Sequence, residues 1–585
     1  MSEHDPPWGM GHVTVRFGER VALDDITLPV LPGQIVALVG GDGAGKTTAL
    51  RVLTGRVAPD AGSVRTPAKV DIGYQPARSG TWAQLSVDEN LDLVAGAYHL
   101  DRRREQETRT KLLRAAGLGA ARSRLASQLS GGMRQKLGFC MAMLHEPALL
   151  VLDEPSTGLD PVSRVELWGL ISATAALGAA VVLATTYLDE AERVHHVVVL
   201  DQGVPLLSGT PAQVVAASPG TVTAVTTATD PARAWHRGQR VRQWHPGEAR
   251  SGDDVVSPDM EDAVIAAALE RRLETVAPGV PGGALRSAPS VRARRRGQVL
   301  ACAERVTRVF GRCLAVDAAS LQIAAGEIVG LIGANGAGKT TLIRMLLGVL
   351  PPSAGDVTHF GRTPSRATRR RLGYVPQALG LYGDLTVGEN LAFVEAVYGG
   401  GARPSASRRA PDRELTAGVG LGRQRQVAFS GALSHSPDLL VLDEPTSGVD
   451  PISRARLWDA IHQQAESGVG VLVSTHHLQE AEQCDRLVLM NLGLVVAEGS
   501  LDEIIGSTTA VQITADDWPG AFAALTAQGL AVALSGTKVR VADTEPATVQ
   551  AILAAARVTA ETHAVRATLE ETMTAMHRVP AATPP

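Results

Sequence analysis

Short, unbroken apolar runs punctuate this chain. QIVALVG (34–40) and EIVGLIG (327–333) close on glycine, and ALLVL (148–152), DLLVL (438–442), AAVVLA (179–184) and GVLVS (470–474) follow the same style. Continuous rather than alternating hydrophobicity predicts strands buried on both faces, as in a parallel sheet. Stretches with helical spacing, such as TTALRVLTG and TTLIRMLLG, lie between them. Strands alternating with helices predict an α/β fold. The pattern also comes twice. GGDGAGKTT (40–48) returns as GANGAGKTT (333–341), VRFGERVALDD (15–25) as RVFGRCLAVDA (308–318), SVDENL (86–91) as TVGENL (386–391), and LLVLDEPSTGLDP (149–161) as LLVLDEPTSGVDP (439–451). The two halves therefore share one layout. The second is longer between its Gly-rich loop and GY, and shorter between ENL and DEP.

The repeat sets the expected domains: a first cassette over 1–215, an accessory segment over 216–277, a linker over 278–297, a second cassette over 298–506 and a C-terminal accessory segment over 507–585. Both accessory segments mix valine-rich stretches with a closing helical pattern, SPDMEDAVIAAALERRL in one and RATLEETMTAMHRV in the other, and read as small α+β appendages. The linker, PGVPGGALRSAPSVRARRRG, is rich in proline, glycine and arginine.

Composition narrows the function. The 56 basic and 60 acidic residues leave a net charge of −4, without the basic excess of a nucleic-acid binder, so no nucleic-acid partner is expected. Four scattered cysteines lack metal-ligand spacing, and the adjacent pairs His195-His196 and His476-His477 have no carboxylate or cysteine partners at such spacing. No apolar run reaches membrane-spanning length, and the acidic MSEHDPPWGM start has no apolar core, so the expectation is a chain without spans or signal peptide.

Chemistry resides in two motifs. GGDGAGKT and GANGAGKT fit the phosphate-loop pattern between strand and helix. The glycines Gly40, Gly43 and Gly45, with Gly333, Gly336 and Gly338, let backbone N–H groups converge on phosphate oxygens. Lys46 and Lys339 reach the β- and γ-phosphates, Thr47 and Thr340 offer hydroxyls to Mg²⁺, and Thr48 and Thr341 follow in the loop. The second motif, VLDEP, ends a buried strand in Asp153 or Asp443, which hold Mg²⁺, and then Glu154 or Glu444, placed to polarise the attacking water. The expected ligands are ATP and Mg²⁺.

The order of Gly-rich loop, GYxPQ, LSGGMRQ (129–135), LLVLDEPSTGLDP and STHxLxEAE resembles the ATP-binding cassette family in two tandem copies, over residues 10–215 and 303–505. The TGLDP/SGVDP and YLDEAE/HLQEAE wording resembles bacterial multidrug and polysaccharide export cassettes. The resemblance implies two P-loop ATPase cassettes, each a parallel-sheet core with a helical subdomain, pairing head to tail within one chain. It implies ATP held between the Gly-rich loop of one cassette and the signature Ser130, Gly131 and Gly132 of the other. Phe17 and Phe310 match the adenine-stacking aromatic, Gln377 the Mg²⁺-sensing glutamine, and His476 the γ-phosphate switch histidine. Asp160 and Asp450 match the interface aspartates, which implies that they relay closure between sites; capping of the helix after the turn is the alternative reading. Integral-membrane permease subunits are the implied partners, placing the chain in the cytoplasm on the inner face of the cell membrane.

The halves differ at these positions. The first half has Ala77 in place of the glutamine, with Gln75 two residues early, and Thr186 in place of the histidine. In the second half the signature is unrecognisable. Counting from His435, Gly420 and Leu421 stand opposite Ser130 and Gly131. Setting TAGVGLG (416–422) against LRAAGLG (113–119) is the better alignment, and it predicts that the signature is deleted. The family pattern then implies one complete site, around Glu444, and one degenerate site, around Glu154. A ribosome-associated tandem cassette ATPase is the alternative reading, disfavoured by the Pro/Gly-rich linker and the missing signature.

Overall fold

The computed structural model describes residues 8–238, 240–248, 252–275, 296–398, 414–475 and 478–578. His476 and residues 278–295 of the expected linker lie outside the described residues.

The chain forms two compact units. The first comprises Met1–Pro219, Ser257–Arg271 and Ile505–Pro585; the second comprises Gly220–Val256 and Arg272–Ile504. Each contains one α/β cassette. In the first, a six-stranded sheet runs Ile72–Gln75, Leu149–Asp153, Ala180–Thr185, Ile35–Val39, His196–Asp201 and Val204–Gly209 in spatial order, parallel except for the last pair. The second repeats it with Leu372–Val375, Leu439–Asp443, Gly470–Thr475, Ile328–Gly333, Arg486–Asn491 and Leu494–Gly499.

Both faces of these sheets are covered, which explains the unbroken apolar runs. Ile35, Ala37 and Val39 point into a core shared with helices 131–143 and 161–176. Val36 and Leu38 point into a second core beneath the antiparallel sheet of Trp8–Phe17, Arg20–Val30 and Ala61–Arg65. The repeated SVDE/TVGE words are helix starts. Ser86 and Glu89 form a capping box at helix Val87–Ala97, and Thr386 and Glu389 repeat its two hydrogen bonds before Val387–Tyr398. The following Asn90 and Asn390 are buried and bind the backbone of Trp82 and Tyr382.

The appended segments do not follow chain order. The C-terminal one is a four-stranded antiparallel sheet, ordered Val532–Ser535, Lys538–Ala542, Thr509–Thr514 and Glu561–Arg566, with helices Trp518–Ala527, Pro546–Ala555 and Leu569–Arg578. It packs on the first cassette: Val511, Trp518, Phe522 and Leu525 share a core with Leu167 and Trp168 of helix Pro161–Ala176. The small sheet that follows the first cassette (Thr221–Val225, Ala234–Arg237, Arg240–His245 and Asp254–Val255) belongs to the second unit. There His236 Nδ1 meets Asp459 Oδ1 at 2.6 Å, and its ring stacks on His462, both in helix Pro451–Glu466. Helix Met260–Thr275 returns the chain to the first cassette, with Met260 and Val264 in its core.

Candidate nucleotide sites

Each Gly-rich loop joins a fully buried strand to a helix that starts at the lysine, Lys46–Leu53 or Lys339–Leu346. Gly45 and Gly338 precede these helices with φ of 103° and 98°. A Cβ at Gly45 would stand 2.8 Å from the Ala22 carbonyl, and one at Gly338 would stand 2.5 Å from the Ala315 carbonyl, so conformation and space both demand glycine. A Cβ at Gly40 would stand 2.4 Å from the Leu200 carbonyl, and one at Gly333 would stand 2.3 Å from the Met490 carbonyl. Gly43 and Gly336, also at positive φ, form the loop crests. Lys46 Nζ donates to the carbonyls of Gly40 (2.7 Å) and Gly41 (3.0 Å); Lys339 Nζ donates to those of Gly333 (2.6 Å) and Ala334 (3.1 Å). The buried ammonium thus lies folded across the mouth of its loop, at a helix N-terminus suited to anions. Thr47, Thr48, Thr340 and Thr341 fill the first turns, half-buried.

Strands Leu149–Asp153 and Leu439–Asp443 deliver the carboxylates. The Thr47 hydroxyl donates to Asp153 Oδ2 at 3.1 Å, and the Ser474 hydroxyl donates to Asp443. Burial pushes both aspartates above the usual carboxylate range, against the pull of those hydrogen bonds. A buried carboxylate beside a hydroxyl is a hard-oxygen donor set of the kind Mg²⁺ takes, and a dication there favours the ionised form. The next residues, Glu154 and Glu444, both sit in the left-handed region, with φ of 47° and 51°. This conformation is unfavourable for a non-glycine residue, and both halves adopt it where the carboxylate must leave the strand.

The two glutamates have different surroundings. Glu444 Oε2 accepts from Gln377 Nε2 at 2.7 Å. Arg425 Nη1 donates to the Glu444 carbonyl at 2.7 Å, and the Glu444 N–H donates to Ser474 Oγ at 3.1 Å. In the first cassette Ala77 offers only its backbone, whose carbonyl accepts from Gln135 Nε2 at 3.1 Å. Gln75 is fully buried and donates to Gln135 Oε1 at 2.6 Å. Glu154 lies 3.4 Å from Lys46 Nζ and accepts from the Thr157 hydroxyl at 3.0 Å. Thr186, at the position that matches His476, is buried. Phe17 and Phe310 present exposed rings at the ends of their strands, with Arg308 stacked over Phe310.

The signature region requires a correction. Ser130 caps helix Gly131–Met143, its hydroxyl accepting from the Met133 N–H at 3.2 Å. In the second cassette the helix spans Leu421–Leu433 with Gly420 as its N-cap. The preceding turn Thr416–Gly418 takes the place of Ala126–Gln128, and the bridge between Thr386 and Leu415 takes the place of that between Ser86 and Leu125. TAGVGLG therefore does not replace LRAAGLG, and the signature is substituted, not deleted. Gly420 has no hydroxyl to offer. Leu421 stands where Gly131 has open space, its Cδ2 only 2.9 Å from where a Gly448 Cβ would lie. Gly132 keeps a tight contact, since a Cβ there would meet Ser163 Oγ at 2.5 Å. Asp160 and Asp450 act as N-caps, accepting from the N–H groups of Ser163 (3.0 Å) and Ser453 (2.9 Å).

Reading the sequence alone missed Ser474, Arg425 and Thr157. Ser474 was visible as the polar end of GVLVS where the first half has alanine (AAVVLA); nothing local marked the other two.

Residues 23–157 and 316–447 match the ABC transporter family. The chain is 35% identical over 529 residues, 83% of its own length and 91% of the relative's, to the "Probable multidrug ABC transporter ATP-binding protein YbhF" of Escherichia coli (strain K12). It is 39% identical over 216 residues, 34% of this chain and 71% of the relative, to the "Nod factor export ATP-binding protein I" of Burkholderia orbicola (strain AU 1054). Among solved structures, "RNase-L Inhibitor" aligns over 94% of this chain and 98% of its own with a TM-score of 0.58; at 19% identity this likeness concerns the fold alone. The doubled Gly-rich loops, the paired Asp-Glu strand ends and the near full-length relative together place this chain in the ABC transporter ATP-binding family, as a tandem-cassette ATPase.

Proposed function

We propose that this chain is the ATP-hydrolysing subunit of a membrane export complex, with one cassette competent for turnover and one impaired. The observation that carries the asymmetry is the Gln377–Glu444 hydrogen bond, set against Ala77, which has no side-chain amide to offer Glu154, in the first cassette. Export is supported by the printed names of the relatives. Among the described residues no helix is long and apolar enough to cross a membrane, so the spans of such a complex belong to separate permease subunits, with this chain peripheral on the cytoplasmic face.

In this reading ATP binds both Gly-rich loops, and Phe17 and Phe310 stack on adenine. Mg²⁺, held by Thr47 and Asp153 or by Thr340, Asp443 and Gln377, supplies neutralisation of phosphate charge. Lys339 leaves its loop carbonyls for the β- and γ-phosphates. Gln377 orients Glu444, which takes a proton from water as the water oxygen bonds to the γ-phosphorus and the bond to ADP breaks. His476 contacts the γ-phosphate. In the family's arrangement, Ser130, Gly131 and Gly132 complete this site, while Gly420 and Leu421 leave the other incomplete. Losing one such contact costs roughly 2–4 kcal/mol of transition-state stabilisation, about 30- to 1000-fold in rate.

Steady-state ATPase of single substitutions tests the reading. Glu444→Gln is expected to abolish turnover and Glu154→Gln to leave most of it; equal losses would sink the asymmetry. ATPase stimulated by ribosomes and not by permease-containing membranes would overturn the export role.

A further inference from the structure

The C-terminal segment reaches the first cassette just behind its switch position. Glu570, in helix Leu569–Arg578, forms a part-buried ion pair with Arg193. The Arg193 guanidinium lies over the Trp168 ring at 5.6 Å. Trp168 Nε1 donates to Glu190 Oε1 at 3.0 Å, and Glu190 Oε2 accepts from the Thr185 hydroxyl at 2.6 Å. That hydroxyl in turn accepts from the Tyr187 N–H at 3.0 Å. Arg164 pairs with Asp189 at 2.8 Å in the same cluster. A continuous set of contacts thus runs from Glu570 to the residues on either side of Thr186. Trp168, Thr185, Tyr187 and Glu190 are all buried, so the set has little freedom to absorb a shift at its outer end.

In the second cassette the residue matching Arg193 is the uncharged Gln483, beside the Arg237–Glu482 pair at 4.0 Å. Gln483 Oε1 accepts from the Gly238 N–H at 3.1 Å and its Nε2 donates to the His236 carbonyl at 3.1 Å. Each appended segment therefore grips the cassette it packs on at the same residue past the switch, one by an ion pair and one by amide hydrogen bonds.

We propose that Arg193 and Glu570 are positioning residues through which the C-terminal segment holds the switch of the first cassette, and so sets how long that cassette retains nucleotide. The inference rests on the reading of the first cassette as a nucleotide-holding site. Removing one charge of this part-buried pair leaves the other less well compensated, which biases the segment behind the switch toward release.

The test uses the full chain carrying Lys339→Ala, which silences the second loop. Release of N-methylanthraniloyl-ATP is followed during a chase with unlabelled ATP, and hydrogen exchange is read over residues 185–193. Glu570→Arg is expected to loosen exchange there and to speed release by about 5- to 150-fold, the usual range for coupled sites. Glu570→Gln keeps the shape and is expected to move release the same way. Arg193→Glu combined with Glu570→Arg is expected to restore both readouts, and His236→Ala in the other unit to change neither. Unchanged release despite loosened exchange would make the pair a structural contact only and overturn this inference alone. No nucleotide binding in the Lys339→Ala chain would overturn the reading of the first cassette and the inference with it.

Discussion

Single residues decide how well each loop can receive phosphate. Gly336 and Gly338 both adopt positive φ, but a Cβ at Gly336 meets nothing within 4 Å, whereas one at Gly338 would collide with the Ala315 carbonyl. Gly338→Ala is therefore expected to abolish nucleotide binding in the second cassette. Gly336→Ala should weaken it by the backbone strain alone, about 1–2 kcal/mol; equilibrium titration with a fluorescent ATP analogue in a Lys46→Ala background compares them. The motifs made these glycines legible, because only one residue type meets the constraint. The orientation of Glu444 was not legible. It depends on Gln377, which donates to the carboxylate, and Arg425, which donates to the Glu444 carbonyl, residues distant in sequence that only the fold brings to Glu444.

At the scale of the element, a helix N-terminus carries the largest difference between halves. Ser130 satisfies a first-turn N–H of helix Gly131–Met143, while Gly420 offers helix Leu421–Leu433 no side-chain acceptor. Ser130→Ala is expected to cost about 1 kcal/mol, and Gly420→Ser to gain a few tenths, both read from denaturant midpoints. A loss well under these values at Ser130 would mean that packing, with Gly132 against Ser163, holds the helix without its cap. The apolar runs placed the strands correctly because a strand buried on both faces leaves an unbroken signal. The altered signature was misread because the two halves differ in length upstream of it. A gap has no unique position in sequence, whereas the turn Thr416–Gly418 and the bridge to Thr386 fix its frame in space.

Across the whole molecule, connectivity and packing disagree. The C-terminal segment serves the first cassette, and the sheet directly after the first cassette serves the second. Trp518→Ala is accordingly expected to remove protection from helix Pro161–Ala176, and Trp235→Ala from helix Pro451–Glu466, in hydrogen exchange. Each should cost about 3–5 kcal/mol as a buried aromatic truncation; protection lost instead in the cassette nearer in sequence would contradict the packing. Sequence by itself determined the doubled α/β layout, the phosphate loops, the acidic strand ends and the capped helix starts, because each is a local pattern whose physics is complete within about a dozen residues. Tertiary structure alone decided which appended segment packs on which cassette, how Glu154 and Glu444 are held, and where the substituted signature lies. Those are contacts between distant residues, set by the shape and charge of surfaces that exist only once the chain has folded.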